Sequence, residues 1–240
     1  MNEGQPSRPA NMDNIVAINQ GRQPQPMTDP QAPALSPQEV RQRIADDHLV
    51  LDTRHEAEFG AGHIPDAYNV QLATGQFEQR VGWILPEESP LIVVAADDGA
   101  AQRALHKLAF VGLDRRVAAI LDGGMDAWLE AGLPTYTVPQ ISAYDLRQQL
   151  EQGTIEVLDV RDNAEWSSGH IPGARHIFYR DLEHQLPAGL DPQAPLAVLC
   201  SGGQRSSTAI SILLRHGFED VRNVSGGMGA YEAATSNDLT

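Results

Sequence analysis

Short apolar runs and longer amphipathic stretches alternate along most of this chain. The runs Leu91–Val94 and Leu196–Leu199 hold only aliphatic residues, which is typical of strands buried in a parallel sheet. Stretches with apolar residues at helical spacing follow them, at Gln102–Val111 and Arg205–His216. Strands that alternate with helices indicate an α/β fold, in which each mainly parallel sheet carries helices on both faces.

The whole pattern occurs twice. Residues 50–59 align with residues 157–166, and residues 62–67 align with residues 169–174, at one constant offset and without gaps. A repeat of this length corresponds to a whole domain rather than to one unit of a solenoid. The sequence therefore predicts two domains of similar architecture.

The domain limits follow from the repeat and from local composition. Residues 1–34 are rich in Gln, Pro, Asn and Asp, and they bury too little apolar surface to offset the entropy of ordering, so we expect a flexible polar tail. The first domain is predicted at 35–134 and the second at 141–240. The residues between them, 135–140, are bounded and interrupted by proline, which predicts a stiff linker.

Composition excludes several classes of function. The 240 residues carry a formal net charge of −15 and both halves are acidic, which disfavours nucleic acid and anionic membranes as partners. No apolar run approaches the roughly 20 residues that span a membrane, and we expect no secretory signal. A single cysteine allows no internal disulfide, which predicts a cytoplasmic protein. No Cys/His cluster has zinc spacing, so we expect neither a metal nor an organic cofactor.

The single cysteine lies at a position that suits chemistry. Cys200 follows an apolar strand and precedes a helix, whose first N–H groups carry a partial positive charge and lack intrahelical partners. Gly202 and Gly203 permit positive φ, so that amides can turn inward, and Arg205 can fork onto an oxyanion. The pattern predicts a nucleophilic thiolate in a cradle for a small anion or a sulfur anion. The alternative is a buried cysteine that serves only as a small hydrophobic side chain.

The segment Cys200–Arg205 resembles the active-site loop of rhodanese-type sulfurtransferases, in which four residues separate the cysteine from an arginine or another polar residue. The repeated segments resemble the two other signature segments of the rhodanese fold. Phosphatases and arsenate reductases of this fold place five residues between cysteine and arginine, so the shorter loop favours sulfur transfer. The resemblance implies a tandem protein with two rhodanese-like domains.

Larger tandem sulfurtransferases of this family pair an inactive amino half with an active carboxyl half. Here the matching loop of the first domain, Ala95–Gln102, has alanine at the cysteine position in either of two registers that differ by one residue. The loop contains Asp97 and Asp98, whose charges oppose an anionic ligand, and it has no arginine. We predict a catalytically silent first domain and a catalytic second domain. Acid–base work by either aspartate is the alternative.

The expected activity is that of a thiosulfate:cyanide-type sulfurtransferase. A persulfide on Cys200 would carry sulfane sulfur from a small anionic donor such as thiosulfate to cyanide, a thiol or a protein acceptor. The loop amides hold the persulfide, and Arg205 attracts the sulfonate of the donor. The predicted substrate-binding residues are Ser201, Gly202, Gly203, Gln204, Arg205 and Arg180. Two other functions stay open: a non-enzymatic persulfide carrier or binding module for a protein partner, and, more weakly, a phosphatase or arsenate reductase.

Each of the repeated signature segments also contains an aspartate and an arginine that can form an ion pair and stabilise the fold. Asp159 ends a strand, where its carboxylate can accept backbone N–H groups or pair with Arg161. Asp52 and Arg54 repeat the arrangement in the first domain. Because the pair occurs in both halves, we expect structural ion pairs rather than catalytic groups.

A histidine in the same segments offers a base for the cysteine. His170 could accept the proton of Cys200 in a nucleophile–base pair. The equivalent histidine, His63, lies in the half that has no cysteine. The repeat therefore favours a role for His170 in the fold.

Overall fold

The computed structural model describes residues 29–86 and 88–236, together with residues 12, 16–17 and 20–22. Most of the predicted tail, 1–34, therefore lies outside the described residues. The chain divides into two compact units, one of residues 1–55 and 63–135 and the other of residues 56–62 and 136–240. No helix in the described ranges has the length and apolar character needed to cross a membrane.

The amino-terminal half contains a five-stranded parallel sheet with the strand order β1-β5-β4-β2-β3. Its strands are β1 (Ala34–Leu35), β2 (Leu49–Asp52), β3 (Tyr68–Asn69), β4 (Leu91–Val94) and β5 (Val117–Leu121). Its helices are α1 (Pro37–Ala45), α2 (Glu56–Ala61), α3 (Phe77–Ile84), α4 (Asp98–Ala109) and α5 (Gly124–Glu130), with a 3-10 turn at Asp114–Arg116. Helix α2 groups with the second compact unit.

The carboxyl-terminal half repeats this topology strand for strand. Its five-stranded parallel sheet has the order β6-β10-β9-β7-β8. The strands are β6 (Gln140–Ile141), β7 (Glu156–Asp159), β8 (Arg175–His176), β9 (Leu196–Leu199) and β10 (Val221–Val224). The helices are α6 (Ala143–Glu151), α7 (Asn163–Ser168), α8 (Gln204–Arg215) and α9 (Gly227–Ser236). The predicted α/β class, with two parallel sheets, is confirmed.

The middle strand of each sheet is one of the two apolar runs seen in the sequence. All four residues of β4 and all four of β9 are buried. Strand β9 lies between β10 and β7, both parallel to it, so its carboxyl end opens at the centre of the sheet edge. Ligands of parallel α/β sheets bind at the carboxyl ends of strands. Cys200 is the first residue beyond that end.

Capping boxes begin corresponding helices in the two halves. At α1, the Glu39 backbone N–H donates to Ser36 Oγ, and the Ser36 N–H donates to the Glu39 carboxylate at 2.9 Å. At α6, Ser142 and Asp145 form the same reciprocal pair, at 3.1 and 3.2 Å. These bonds satisfy N–H groups that have no partner inside the helix. Both acidic side chains lie on the surface.

The core of the carboxyl-terminal unit joins its sheet to two helices. Leu146 of α6 and Met228 of α9 pack in one cluster with Val157, Leu199 and Val224 from three neighbouring strands. All five side chains are buried. The cluster holds the end of β9 in place, and with it the start of the loop that carries Cys200.

Candidate active site

Cys200 lies in a tight loop between β9 and α8, and one backbone amide points at its sulfur. The Gly203 N–H donates a hydrogen bond to Cys200 Sγ at 3.0 Å. Gly203 precedes α8 with φ +104°, a conformation that is open mainly to glycine. Of the two glycines that permit positive φ, Gly203 adopts it and Gly202 does not. The amide at the helix start places partial positive charge beside the sulfur, which favours negative charge on it.

Cys200 is buried, although the loop that follows it reaches the surface. Cys200 is 1% exposed, whereas the next two residues, Ser201 and Gly202, are exposed. Burial by itself agrees with a catalytic cysteine and with a small hydrophobic one. The amide directed at Sγ is a polar contact that a hydrophobic filler does not need.

Buried polar side chains form hydrogen bonds with the backbone of Gly203. The Asn223 amide donates to Gly203 O at 3.3 Å and to Gln140 Oε1 at 2.8 Å. The Ser206 hydroxyl lies 2.6 Å from Asn223 Oδ1 and 3.5 Å from Cys200 Sγ. Ser206 and Asn223 are almost fully buried. The network holds the Gly203 carbonyl oxygen, and the single hydroxyl proton of Ser206 is directed at Asn223 Oδ1, its nearest acceptor.

Sequence reasoning missed this network, although one signal was present. Helix α8 buries Ser206, Ser207 and Thr208 in succession, at positions where a core helix normally carries apolar side chains. Buried hydroxyl groups need hydrogen-bond partners. The polar run therefore pointed to polar partners behind the loop, but Asn223 and Gln140 are distant in sequence and gave no such signal.

Arg205, the predicted anion-binding residue, forks onto a carboxylate of the protein itself. Its two terminal nitrogens donate to Glu165 Oε2 at 2.6 Å and to Glu165 Oε1 at 2.7 Å. The guanidinium also contacts the Ser201 hydroxyl, which donates to Glu165 Oε1 at 3.1 Å. These bonds from Arg205 lower the pKa of Glu165 to about 2, and Glu165 in turn raises the pKa of Arg205. The structure thus links the loop to α7, a contact that the sequence analysis did not predict.

The backbone of the loop is held at its other side by the start of α9. The Met228 N–H donates to Cys200 O at 2.8 Å. Gly227 adopts φ +55°, and a Cβ there would lie 2.6 Å from the carbonyl carbon of Ser201. Glycine is required at this position because any side chain would strike the loop backbone.

Comparison with known proteins identifies the architecture. Residues 36–131 and 142–234 each match the family model described as a rhodanese-like domain. The chain belongs to the rhodanese family. The two matches establish a tandem of rhodanese-like domains, which confirms that part of the resemblance. They fall within the predicted limits of 35–134 and 141–240, which stay predictions.

Similar proteins of the rhodanese family include two short sulfurtransferases. The thiosulfate sulfurtransferase GlpE of Pseudomonas aeruginosa is 35% identical over 105 residues, which span 42% of this chain and 94% of the relative. GlpE of Shewanella oneidensis is 32% identical over 96 residues, or 40% of this chain and 94% of the relative. Each relative therefore aligns with less than half of this chain.

Solved structures of rhodanese-like proteins are similar as well. The rhodanese-like domain of the Anabaena protein Alr3790 is 34% identical, with a TM-score of 0.38, and covers 40% of this chain and 74% of that chain. A thiosulfate sulfurtransferase from Pseudomonas aeruginosa is 21% identical, with a TM-score of 0.37, and covers 85% of this chain and 42% of that chain.

The first rhodanese-like domain has a different loop at the position of the cysteine. Ala95 follows β4 as Cys200 follows β9, but three residues separate β4 from α4 and four separate β9 from α8. This deletion explains why the sequence left two registers open. Asp97 begins α4, and its carboxylate accepts the Ala100 N–H at 2.6 Å. The helix start that faces a sulfur in one domain is thus capped by a carboxylate in the other.

His170 packs on a tryptophan and makes no recorded contact with the cysteine. Its ring stacks on Trp166 with 3.7 Å between centroids, and Nδ1 lies 3.1 Å from the Trp166 carbonyl oxygen. His176 stacks on the same tryptophan at 4.6 Å. The stacking on Trp166 supports the structural role that the repeat favoured, although the environments differ: His63 is buried and His170 is exposed.

The two predicted Asp–Arg pairs are present and nearly identical. Arg161 donates to Asp159 through its backbone N–H at 3.0 Å and through its guanidinium at 2.6 Å. Arg54 and Asp52 form the same bonds with the same two distances. All four residues are buried, which confirms the prediction of structural ion pairs.

Arg180, the predicted residue at the mouth of the site, lies against two aromatic rings. Its guanidinium is 5.1 Å from the centre of the Phe178 ring and 5.8 Å from that of Tyr179. Its Nε is 3.3 Å from the Tyr179 hydroxyl. Glu165 is the main cause of the raised pKa of Arg205, and Cys200 and Tyr179 add smaller contributions. Arg180 therefore contacts a residue, Tyr179, that in turn affects the pKa of Arg205.

No group of three or more His, Cys, Asp or Glu side chains in the described part of the chain is placed to hold a metal ion.

Proposed function

We propose that this protein is a sulfurtransferase that moves sulfane sulfur through a persulfide on Cys200. The donor is a small anion such as thiosulfate, and the acceptor is thiophilic, either cyanide or a thiol. One observation carries the proposal: the Gly203 N–H is directed at Cys200 Sγ over 3.0 Å, at the carboxyl end of the central strand. Membership of the rhodanese family and similarity to thiosulfate sulfurtransferases support it.

The proposed cycle has two nucleophilic displacements at sulfur. The Cys200 thiolate attacks the outer sulfur of thiosulfate, a new S–S bond forms, and the old one breaks with its electron pair leaving on sulfite. The acceptor then attacks the outer sulfur of the persulfide, and the electron pair of that bond returns to Cys200 as thiolate. No net proton or electron is taken up, and no external oxidant is needed. The cycle splits one transfer into two easier steps.

The proposed roles of the surrounding groups follow from their positions. The Gly203 amide is placed to hold negative charge on Cys200 Sγ or on the persulfide. Substrate contacts by Ser201, Gly202 and Gln204 stay a prediction that rests on their exposed positions next to Cys200 in the chain. Donor binding by Arg205 and Arg180 stays a prediction, because their contacts in this structure are to protein groups.

We also propose that catalysis belongs to the second domain alone. The first has Ala95 in place of the cysteine, and the Asp97 carboxylate caps the adjacent helix. The negative charge of that carboxylate opposes the binding of a sulfur anion at the helix start.

The absence of further cysteines supports a cytoplasmic location, in which the thiol stays reduced.

Thiosulfate-dependent formation of thiocyanate tests the activity. Cys200→Ser should abolish turnover, because a serine hydroxyl cannot form the persulfide. Ala95→Ser is the matched control, since it places the same side chain at the equivalent position of the first domain, and it should leave turnover unchanged. Full turnover by Cys200→Ser would refute the mechanism.

A persulfide carrier that serves a protein partner is the second candidate. The net charge of −15 favours it, because an acidic surface repels small anionic donors at long range and attracts a basic partner. Purified protein that gains a persulfide but shows negligible turnover with cyanide or small thiols would favour the carrier.

A further inference from the structure

We infer that Glu165 sets the charge preference of the site: it neutralises Arg205 and so directs the enzyme toward sulfur donors with less negative charge than thiosulfate. Organic thiosulfonates and thiol persulfides are donors of this class. The inference rests on the proposed function, since it concerns the donor that reaches Cys200.

Glu165 is held firmly in position for this role. It is the third residue of α7, where its backbone N–H donates to the Asp162 carboxylate at 2.9 Å and its own carboxylate accepts the Asp162 N–H at 3.2 Å. The same carboxylate receives two bonds from Arg205 and one from Ser201. A carboxylate with this many partners stays in one place, so its charge opposes that of Arg205 in every encounter with a donor.

The charge that Arg205 presents beside the loop follows from this pair, and the Glu56 carboxylate also lies nearby, with Oε1 3.5 Å from where a Cβ on Gly203 would be. Arg205 alone would present a full positive charge near Cys200, and the side chains of Arg205 and Glu165 are 24% and 30% exposed. Paired, they present a dipole with no net charge. Because the pKa of Glu165 is lowered to about 2, the carboxylate remains ionised at every pH at which a thiolate is stable. A donor with two negative charges therefore loses more attraction at this site than a donor with one.

Two donors with the same reacting group and different net charges isolate the effect of donor charge. Thiosulfate and methanethiosulfonate both carry a terminal sulfur on a sulfonyl group, but the first is a dianion and the second a monoanion. The readout is the donor ratio, defined as kcat/KM for thiosulfate divided by kcat/KM for methanethiosulfonate. A ratio is insensitive to the fraction of folded enzyme, so a partly unfolded variant still gives an answer.

Glu165→Gln should raise the donor ratio roughly three- to tenfold, the effect of one unit charge several ångströms from the donor in a partly screened site. Glutamine retains the shape and can still accept the capping hydrogen bond. Arg205→Gln should lower the ratio by a similar factor. The double variant restores a neutral pair, so its ratio should return close to that of the wild type. If Glu165 had a purely structural role, the donor ratios of the wild type, the two single variants and the double variant would not follow the charge of the pair.

Asp145→Asn is the matched control, because Asp145 is also the third residue of a capped helix in the same unit and lies on the surface. Its ratio should equal that of the wild type. Equal ratios in all four proteins, or an equal rise in Asp145→Asn, would overturn the inference. If intact-mass measurement shows no persulfide on the wild type with either donor, the proposed function fails instead.

Discussion

Gly227→Ala should damage the site from a distance, through the backbone of the loop. The new Cβ would lie 2.6 Å from Ser201 C and 2.7 Å from Ser201 O, and closer still to Cys200 O. All three atoms belong to the main chain, so the loop must move as a body. The neighbouring bond from the Met228 N–H to Cys200 O, at 2.8 Å, would then be strained or lost.

The first domain offers a matched control for this substitution. Gly124 begins α5 with φ +57°, close to the +55° of Gly227, but a Cβ on Gly124 would lie 3.2 Å from Ala95 O. Alanine in the left-handed region costs about 1–2 kcal/mol at either position. Overpacking adds about 1–3 kcal/mol at Gly227. The expected destabilisation is therefore about 2–5 kcal/mol for Gly227→Ala and about 1–2 kcal/mol for Gly124→Ala.

Thermal unfolding and thiosulfate turnover, measured on both variants, test the reasoning. Gly227→Ala should lower Tm more than Gly124→Ala does. It should also reduce turnover by on the order of a hundredfold, because a shift of about 1 Å in a reacting group has an effect of that size. Gly124→Ala should keep its turnover. Equal losses of Tm, with turnover retained in Gly227→Ala, would refute the close approach of α9 to the loop.

Three further changes test other parts of the structure. Arg161→Ala leaves the buried Asp159 carboxylate without its cation, so we expect a loss of about 3–5 kcal/mol in the free energy of unfolding, measured by urea titration. His170→Ala removes an exposed ring that stacks on another side chain, so we expect it to cost about 0.5–1.5 kcal/mol of stability. Because that role is structural, turnover should change by less than about twofold, and a larger kinetic loss would revive its role as a base. Glu165 has a pKa of about 2 in the folded protein against an ordinary 4.5, so its pair stabilises the fold fully above pH 4.5 and less as the pH falls toward 2. Tm should therefore fall less between pH 5 and pH 3 in Glu165→Gln than in the wild type, and equal falls would contradict the lowered pKa.

The features that the sequence predicted correctly are those with a local or repeated signal. The apolar run Leu196–Leu199 needs only its own composition to indicate a buried strand, and Cys200 directly follows it. The pair Asp159–Arg161 spans three residues and occurs again as Asp52–Arg54, so the repeat marked it as structural. Gly203 follows the cysteine so closely that the turn could be predicted from the chain alone.

The features that escaped prediction depend on contacts between distant parts of the chain. Arg205 pairs with Glu165, which lies on another helix, and no local pattern indicates that contact. Nothing near Glu165 in sequence marks it, because the matching loop of the first domain, Ala95–Gln102, has no arginine that could pair with the equivalent residue, Glu58. Asn223 orients Gly203 from strand β10 in the same way. Pattern and spacing indicate the helix or strand to which a residue belongs. Its contacts with residues on other elements follow only from the fold.

The mass of the intact protein after exposure to thiosulfate tests the central claim most directly. Because Cys200 is the single cysteine, a thiol-borne sulfur has one place to go. We predict a gain of one sulfur atom per chain, its loss on treatment with cyanide, and no gain in Cys200→Ser. An unchanged mass in the wild type, or the same gain in Cys200→Ser, would contradict the account.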